Sequence, residues 1–543
     1  MSAIRTSHSM LAALCLLSQS THVQAATATA RTTLALGGGG QPACRVAQTS
    51  PDLAQLDAYV RRMMKEYGVP GVGLALIENG TVRAVRGYGV RDVKTRAPVT
   101  ANTQFAIGSV TKSFTALDMM VLVEDGLVDL DAPVTTYIPE FKLSNPASTR
   151  TVTVRNLLTH STGLVRTDAS TFNPKLTAKD IIAAAATTPL VGKPGRTFVY
   201  SNVNTIIAGE IIRRVSGQPW AVFTRERVLR PLGMNTATLS IKELKQRPDI
   251  AVPHVINVKD GGSQPTQYLT LGADAPAGAV NASAAELAHY VQFQLSDGSP
   301  LLSKTNLNEM HKGQVAAPEF NLSGIFADQA RKVAARPTAV PASLVTNEHY
   351  GFYWGVETFL GEQLVQHGGN VTGETANITL LPKQRSGVVI LANIEGANIF
   401  MEVVRLHVAE VLLGCPGPDV NAVVQAQLKI LRQDNASISA DRLAARTYQP
   451  RPSELSALVG TYKGLADTKP TRIKVVDRRT LKLESGFQGV RFAVDLLPLG
   501  KNRFMATSQP LIGGVVKFAD RNGKRTIELE GLTGNIPLAA SDH

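Results

Sequence analysis

The order of strand-like and helix-like segments is the feature that most restricts the fold of this chain. Two segments with strand character, 71–77 and 81–87, lie near its start and are joined at Asn79-Gly80, a strong hairpin signal. Strand character returns only much later, in four segments: 353–359, 362–366, 377–381 and 387–393. Because mostly helical sequence separates the two groups, we predict an α+β fold, in which one antiparallel sheet flanked by helices is built from both termini and a helical subdomain is inserted.

Helical periodicity marks three further elements. Apolar residues recur at helical spacing in 53–67, ahead of the first strands, and in about 399–413, after the last. A third helix is predicted from Ser109 to Asp125, with Gly126 at the expected C-terminal stop. Ser109 is therefore predicted to lie at a helix N-terminus.

The remaining segments complete the predicted domain organisation. Residues 1–25 contain a short apolar run followed by small residues, which is typical of a cleaved secretory signal, and residues 26–50 form a flexible lead. A folded domain is expected over 51–415, and a polar helical linker over 416–451. Short strands with turn signals in 452–543 predict a small all-β domain, either a barrel or a sandwich.

Charge and hydropathy restrict location and partners. The apolar core of the signal is too short to span a bilayer, and no later stretch is long and apolar enough, so we expect a periplasmic or secreted protein with no integral membrane segment after cleavage. The formal net charge of +13 suits an anionic envelope. Lys and Arg are scattered and form no run, which argues against nucleic acid as a partner.

The cysteines leave one covalent question open. Cys15 would be removed with the signal, so that Cys44 and Cys415 remain. In an oxidising compartment these two could form a disulfide. Two unpaired thiols are the alternative, because the sequence does not give the Cα separation.

The first candidate for chemistry is the pair Ser109 and Lys112. Residues i and i+3 share one face of a helix, so the Lys112 amine can lie beside the Ser109 hydroxyl and take its proton. The helix N-terminus adds positive partial charge, which favours an oxyanion. Alone, the pair also fits an N-cap serine followed by a solvated lysine.

The second candidate is Tyr200, the one tyrosine of the chain with an Asn two residues on, Asn202. A nearby ammonium such as that of Lys112 favours the phenolate, so Tyr200 can act as a general base. The Asn202 amide can orient Lys112 or hold a substrate carbonyl. The alternative is a buried tyrosine near a turn.

The third candidate is the run from His367 through Gly368 and Gly369 to Asn370, predicted to lie at the end of the strand 362–366. Glycines let a substrate backbone lie against a strand edge. A polar side chain there, such as that of His367, can hold a substrate carboxylate or relay a proton to Tyr200.

These three elements, in this order, resemble the serine β-lactamase and penicillin-binding-protein superfamily. The resemblance is greatest to the class C β-lactamase-like group, peptidase family S12, which includes D,D-carboxypeptidases, D-aminopeptidases and esterases. It runs from about Pro51 to Leu413. Three connecting runs are similar to those of the family: residues 157–164, Pro276-Ala277-Gly278, and Tyr350-Gly351 before Trp354-Gly355. The C-terminal segment looks like the lipocalin-like barrel of many S12 relatives.

The resemblance implies roles for the catalytic group. Ser109 would be the nucleophile of an acyl-enzyme, Lys112 its general-base partner and Tyr200 the proton shuttle. The substrate would be a small molecule or a peptide, including cell-wall peptides. No metal or organic cofactor is implied.

The same resemblance implies a substrate-binding group. Asn202 would position Lys112 and the substrate, and His367 would stand where β-lactamases keep a Lys. Gly369 would line the substrate, and the backbone N–H groups of Ser109 and Asn370 would form the oxyanion hole.

Two departures from the family pattern bear on the substrate. His367 in place of Lys is more like esterases and peptidases than antibiotic-destroying enzymes, and Glu374 stands where relatives often carry an aromatic residue. We therefore expect an exported serine hydrolase that cleaves an amide or ester, foremost in a D-amino-acid-containing peptide. The alternatives are a carboxylesterase, a weak β-lactamase, and a penicillin-binding sensor that is acylated without turnover.

Overall fold

The computed structural model describes residues 52–167, 175–256, 262–299, 301–318, 320, 344–415, 417, 419–429, 448–462, 470–487, 490–506, 515–521, 524–530 and 538–539. The described residues fall into two compact units, one made mostly of Asp52–Ala409 and the other of the C-terminal segment after Arg432. The predicted signal (1–25), the predicted lead (26–50) and Cys44 lie outside the described residues. Cys415 is buried and disulfide-bonded, and its pairing with Cys44 remains a prediction.

The strands of the first unit are, in chain order, β1 (Gly71–Glu78), β2 (Thr81–Gly89), β3 (Phe105–Ala106), β4 (His254–Ile256), β5 (Ser263–Pro265), β6 (Asn281–Ala282), β7 (Gly298–Ser299), β8 (Leu302–Ser303), β9 (Val315–Ala316), β10 (Thr346–Tyr350), β11 (Gly355–Phe359), β12 (Glu362–Val371), β13 (Glu374–Leu381) and β14 (Ser386–Ala392). Among the described residues, eight of them form one antiparallel sheet in the order β2-β1-β14-β13-β12-β11-β10-β9.

The helices are, in chain order, α1 (Leu53–Tyr67), α2 (Thr111–Glu124), α3 (Val134–Tyr137), α4 (Pro146–Thr151), α5 (Val154–Leu158), α6 (Ala178–Ala185), α7 (Asn202–Ser216), α8 (Trp220–Thr224), α9 (Ile241–Leu244), α10 (Ala275–Gly278), α11 (Ala284–Gln294), α12 (Lys304–Met310), α13 (Asn398–Leu413), α14 (420–429) and α15 (Pro452–Ser456). A 3₁₀ turn, Gly108–Val110, precedes α2, and a second one spans Pro382–Gln384. A π-helical turn, Arg225–Leu229, follows α8.

The pairing of β1 confirms that both ends of the unit share one sheet. β1 is antiparallel to its hairpin partner β2 and also to β14, with Val72 opposite Ala392. Gly71–Ile77 of β1 and all of β13 and β14 are buried, so these strands form the centre of the sheet, covered on both faces. The helical insertion lies between β2 and β9 in the chain, as predicted.

Helix α2 is the central helix of the insertion. Every residue from Thr111 to Leu122 is buried, and α2 packs against α7 and α10. A helix surrounded by packed side chains cannot tilt without opening the core. Its first turn is therefore held in a fixed position beside the sheet.

Helix α14 lies within the segment predicted as a linker, and it packs on α1. The Tyr67 hydroxyl donates to Asn421 Oδ1 at 2.6 Å, and Gln425 Nε2 donates to the Tyr67 hydroxyl at 2.7 Å. Val424 and Leu428 of α14 are fully buried. This part of the segment belongs to the first unit.

The strands of the C-terminal unit are β15 (Gly460–Tyr462), β16 (Thr471–Val475), β17 (Leu481–Phe487), β18 (Val490–Gly500), β19 (Arg503–Ala506), β20 (Val515–Arg521), β21 (Lys524–Glu530) and β22 (Leu538–Ala539). Within its described residues each strand pairs antiparallel with the next, which produces a barrel-like meander. Alternating residues such as Leu481 and Leu483 are buried in its core. The prediction of an all-β segment is confirmed.

A buried ion cluster holds α13 to β11. Arg405, 1% exposed, donates to Glu357 Oε1 at 2.5 Å and to both carboxylate oxygens of Glu402 at 2.7 and 2.8 Å. All three side chains are buried, so each charge depends on the others for compensation.

Replacing Arg405 with methionine is expected to lower the free energy of unfolding by about 3–5 kcal/mol, because two buried carboxylates lose their cation. Urea unfolding measures this effect. Arg213→Met, which breaks an exposed pair with Glu210, should cost under about 1 kcal/mol. Equal losses in the two variants would contradict the interpretation.

Candidate active site

Ser109 lies in the 3₁₀ turn Gly108–Val110, one turn before α2, and not in the α-helix as predicted. Gly108 has φ +51°, in the left-handed region, and the α-helical hydrogen-bonding pattern starts only at Thr111. The turn leaves Ser109 partly exposed, while its neighbours Gly108 and Val110 are buried. The serine is thus presented at the surface of an otherwise buried element.

Lys112 contacts Ser109 directly. Its Nζ donates to Ser109 Oγ at 3.0 Å and to the carbonyl oxygen of Ala277, in α10, at 3.1 Å. Lys112 is 0% exposed. A buried amine within hydrogen-bonding distance of a hydroxyl is positioned to exchange a proton with it. The predicted i, i+3 contact is present.

Tyr200 is the third residue of this group. Lys112 Nζ lies 4.9 Å from the centroid of its ring, a cation–π contact that links the two side chains. Arg166 lies over the same ring at 5.6 Å. Tyr200 stands two residues before α7, and Ser201 is the N-cap of that helix. The long segment between α2 and α7 thus folds back to bring Tyr200 to Lys112.

His367 lies inside β12 and not beyond the end of a strand, because β12 continues to Val371. The ring Nδ1 is 2.6 Å from the Gly368 carbonyl, which can only accept, so Nδ1 carries the proton. The ring Nε2 then accepts from the Tyr350 hydroxyl at 3.0 Å. Burial, together with the charge of Lys112, lowers the pKa of His367 to about 3.

A neutral His367 with both nitrogens occupied changes one expectation from the sequence. The side chain is 1% exposed, and with its pKa lowered to about 3 the imidazole is neutral at neutral pH. In this arrangement it cannot hold a substrate carboxylate as a lysine would. It instead ties β12 to Tyr350 at the end of β10.

The strand β12 passes very close to the turn that carries Ser109. A Cβ added at Gly369 would lie 1.9 Å from the Ile107 carbonyl oxygen and 3.1 Å from the Ser109 nitrogen, and one added at Gly108 would lie 2.8 Å from the Asn370 nitrogen. Only glycines allow this approach. The two backbone nitrogens predicted to form an oxyanion hole, those of Ser109 and Asn370, belong to these two apposed segments.

Replacing Gly369 with alanine is expected to lower kcat by about 10²–10³-fold, because the added methyl forces β12 away from the turn and removes one oxyanion donor. Steady-state kinetics on the best substrate measures this loss. The neighbouring Gly368 is the matched control, since its added Cβ would have no neighbour nearer than 3.9 Å. Equal losses in Gly368→Ala and Gly369→Ala would contradict the role of the close approach.

His160 is a site residue that the sequence analysis did not single out. It is 0% exposed, and its ring centroid is 4.6 Å from that of Tyr200 and 4.9 Å from that of Tyr353. Burial, then the charge of Lys112, lowers the pKa of His160 well below its usual value. In the sequence, His160 is indicated only by its place in the run 157–164, which is similar to a run of the family. His160 packs as a neutral ring that positions Tyr200.

Two other predicted residues are near the group. Asn202 is the first residue of α7 and half-buried, and its predicted contact with Lys112 remains a proposal, since Lys112 Nζ hydrogen-bonds to Ser109 and Ala277. The Asn370 side chain is exposed and donates to Asn398 Oδ1 at 2.9 Å. The sequence analysis did not predict the contact of Lys112 with the Ala277 carbonyl, because every residue type carries a backbone carbonyl.

The domain is α+β, its serine lies in a turn directly before a central helix, and its buried lysine lies in the first turn of that helix, beside a strand of the sheet. This arrangement defines a class of serine hydrolases. The chain belongs to the β-lactamase family, whose model matches residues 56–413. This match contains Ser109, Lys112, Tyr200 and His367.

Curated relatives are similar at low identity. Protein flp of Staphylococcus aureus (strain MW2) is 27% identical over 354 residues, which cover 65% of this chain and 65% of flp. The unguisins hydrolase ungD of Aspergillus violaceofuscus is 27% identical over 349 residues, which cover 62% of this chain and 60% of ungD. The matches therefore span less than two thirds of the relatives' own length.

Solved structures share the fold. The octameric penicillin-binding protein homologue from Pyrococcus abyssi superposes with a TM-score of 0.58 at 26% identity, covering 90% of this chain and all of that one. A class C β-lactamase from Rhodobacter sphaeroides has a TM-score of 0.50 at 18% identity, covering 65% of this chain and 99% of that one. Both agree with the antiparallel sheet and the helical insertion.

Proposed function

We propose that this protein is an exported serine hydrolase that forms an acyl-Ser109 intermediate from an amide or ester. The observation that carries the proposal is the 3.0 Å hydrogen bond from Lys112 Nζ to Ser109 Oγ in a buried setting. Membership of the β-lactamase family supports it.

In the proposed reaction the Ser109 Oγ attacks the substrate carbonyl carbon. As Lys112 Nζ takes the proton of Ser109 Oγ, it gives one to Tyr200, and the Tyr200 hydroxyl gives its proton to the leaving nitrogen or oxygen, so that the bond to the leaving group breaks as the Ser109 ester forms. The N–H groups of Ser109 and Asn370 hold the oxyanion. Water then attacks the ester, and the same groups return the proton to Ser109 Oγ.

The substrate we propose first is a D-amino-acid-containing peptide, as the resemblance implies, including peptides of the cell wall. One relative is named as a hydrolase of unguisins, which supports hydrolytic turnover over a binding role. A carboxylesterase is the second candidate, favoured by one observation. His367 is neutral and buried, so it provides no cation for a substrate carboxylate. A simple ester substrate has no carboxylate and does not need such a cation.

Three substrates and a mass spectrum distinguish these candidates. Hydrolysis of D-alanyl peptides identifies a peptidase, release of p-nitrophenol from short acyl esters an esterase, and turnover of nitrocefin a β-lactamase. A stable penicillin adduct without turnover identifies a sensor. In each case the adduct or the trapped acyl group should map to the peptide that contains Ser109. An adduct on any other residue would refute the proposal.

Export is part of the proposal and rests on residues 1–25. No helix of the described residues has the length and apolarity needed to cross a membrane. Sequencing the N-terminus of the protein recovered from the periplasm or medium tests the signal, and we expect the mature chain to begin near Ala26. We also propose that the segments 51–415 and 452–543 are separate domains, and α14, from the segment predicted as a linker (416–451), belongs with the first of them.

A further inference from the structure

A small cavity of about 100 Å³ lies beside the proposed catalytic group. Ala106, three residues before Ser109, forms part of its wall, as does Gly278, next to the Ala277 carbonyl that binds Lys112. Val371, next to Asn370, forms a third part. The three segments that surround the nucleophile thus also build this cavity.

Most of the cavity wall is apolar, with Leu239 and Leu271 among its residues, and Glu374 also lines it. Glu374 is 1% exposed. Its Oε2 accepts from the Ala106 N–H at 3.2 Å, whereas its Oε1 has no hydrogen-bond partner among the described residues. Leaving a buried carboxyl oxygen unpaired is unfavourable, so a structure keeps one only where something compensates for it.

Tyr268, one of the polar residues in the cavity wall, has another hydrogen-bond partner. The Tyr268 hydroxyl donates to the Ala251 carbonyl. Burial raises the pKa of Glu374 well above its usual value, because the surrounding wall solvates an ionised carboxylate poorly. A ligand that brings a cationic donor would favour the charged carboxylate and donate a hydrogen bond to Oε1.

The position of the cavity along β12 indicates whether it would contact the acyl group or the leaving group of the substrate. Lys112 and Tyr200 handle the proton of the leaving group, and they lie near His367. Along β12, His367 precedes Asn370, whose N–H is one of the proposed oxyanion donors. The cavity lies on the other side of Asn370, at Val371 and beyond. Since acyl and leaving groups extend in opposite directions from the reacting carbonyl, the cavity faces the acyl group.

We propose that this cavity is the acyl-group pocket, and that Glu374 selects aliphatic acyl groups that end in a primary ammonium. The inference rests on the proposed acyl-Ser109 function. The apolar wall accepts the methylene chain, and the Glu374 carboxylate pairs with the ammonium at its end. Lys242, the other charged residue in the wall, is exposed, so that solvent screens its repulsion of a cation.

Two esters of equal chain length test the selection. We expect wild-type kcat/KM to be at least about 10-fold higher for p-nitrophenyl 6-aminohexanoate than for p-nitrophenyl hexanoate, because a charge-assisted hydrogen bond forms only with the first. The ratio should fall to about 1 or below in Glu374→Gln and Glu374→Leu. Spontaneous release of p-nitrophenol is subtracted.

The control variant is Glu226→Gln, which removes a partly exposed carboxylate paired with Arg230 and should retain the wild-type ratio. A wild-type ratio near 1, or a preference that survives in Glu374→Gln, would overturn the inference. The ratio of the two kcat/KM values is compared because a folding defect lowers the rates for both esters together.

Failure of the proposed function would look different. If neither ester is hydrolysed and Ser109 is not acylated, that function is wrong, and the cavity is then tested by binding alone. Hexylamine should raise the Tm of the wild type and of Glu226→Gln but not that of Glu374→Gln. An equal rise of Tm in all three proteins, or no rise in any of them, would refute the binding of an ammonium by Glu374.

Discussion

Ser109→Ala is expected to lower kcat/KM for every ester or amide substrate by at least about 10³-fold, because no covalent intermediate can form without Oγ. The same variant should lose labelling by a fluorophosphonate. The hydroxyl accepts a hydrogen bond from Lys112 and is partly exposed, so its removal leaves no buried void and the protein should remain folded. An unchanged Tm would show that the loss concerns chemistry.

The control for Ser109→Ala is another serine of the first unit. Ser144 is exposed, its hydroxyl donates to the Thr188 carbonyl, and neither residue belongs to the group around Ser109. Ser144→Ala should keep both turnover and labelling. Fluorophosphonate labelling that persists in Ser109→Ala would mean that a different residue is the nucleophile.

Lys112→Met is expected to reduce kcat by about 10²–10⁴-fold, the range for loss of a positioned acid or base. Methionine has a similar length but cannot accept the Ser109 proton, and it leaves the Ala277 carbonyl without its 3.1 Å donor. Lys112→Arg should fail similarly, because a guanidinium keeps its proton. Pre-steady-state acylation by a chromogenic ester measures the step directly, with release of the acyl group followed separately.

The control here is Lys383→Met, which removes an exposed amine paired with Glu362. It should leave acylation unchanged. If Lys112→Met acylates within tenfold of the wild type and is equally stable, Lys112 does not activate Ser109, and the proton must leave through Tyr200 alone.

Local pattern predicted most of the sheet. The strand character of 71–77 and 81–87 and the turn at Asn79-Gly80 predict β1 and β2, whose observed bounds are longer by at most two residues at their ends. The prediction for β12 stopped at Gln366, because a pair of glycines normally weakens a strand. Pairing with β13 continues it to Val371.

Local pattern also predicted the contact between Ser109 and Lys112, but not the type of turn that holds Ser109. The spacing of Ser109 and Lys112 gives their contact whether the turn is α-helical or 3₁₀, so the contact was predicted although the type of turn was wrong. The proposed roles of these residues still depend on the experiments above.

What the sequence alone determined is therefore the α+β plan, the all-β C-terminal unit and the contact between Ser109 and Lys112. These depend on periodicity and short spacings, which report the geometry of single elements. Only the tertiary structure decided that His367 is neutral, that the Ala277 carbonyl holds Lys112, and that Glu374 is buried with one oxygen unpaired. Such properties depend on burial and on contacts between residues far apart in the chain, because the surroundings and not the residue type set the charge state and the hydrogen bonds.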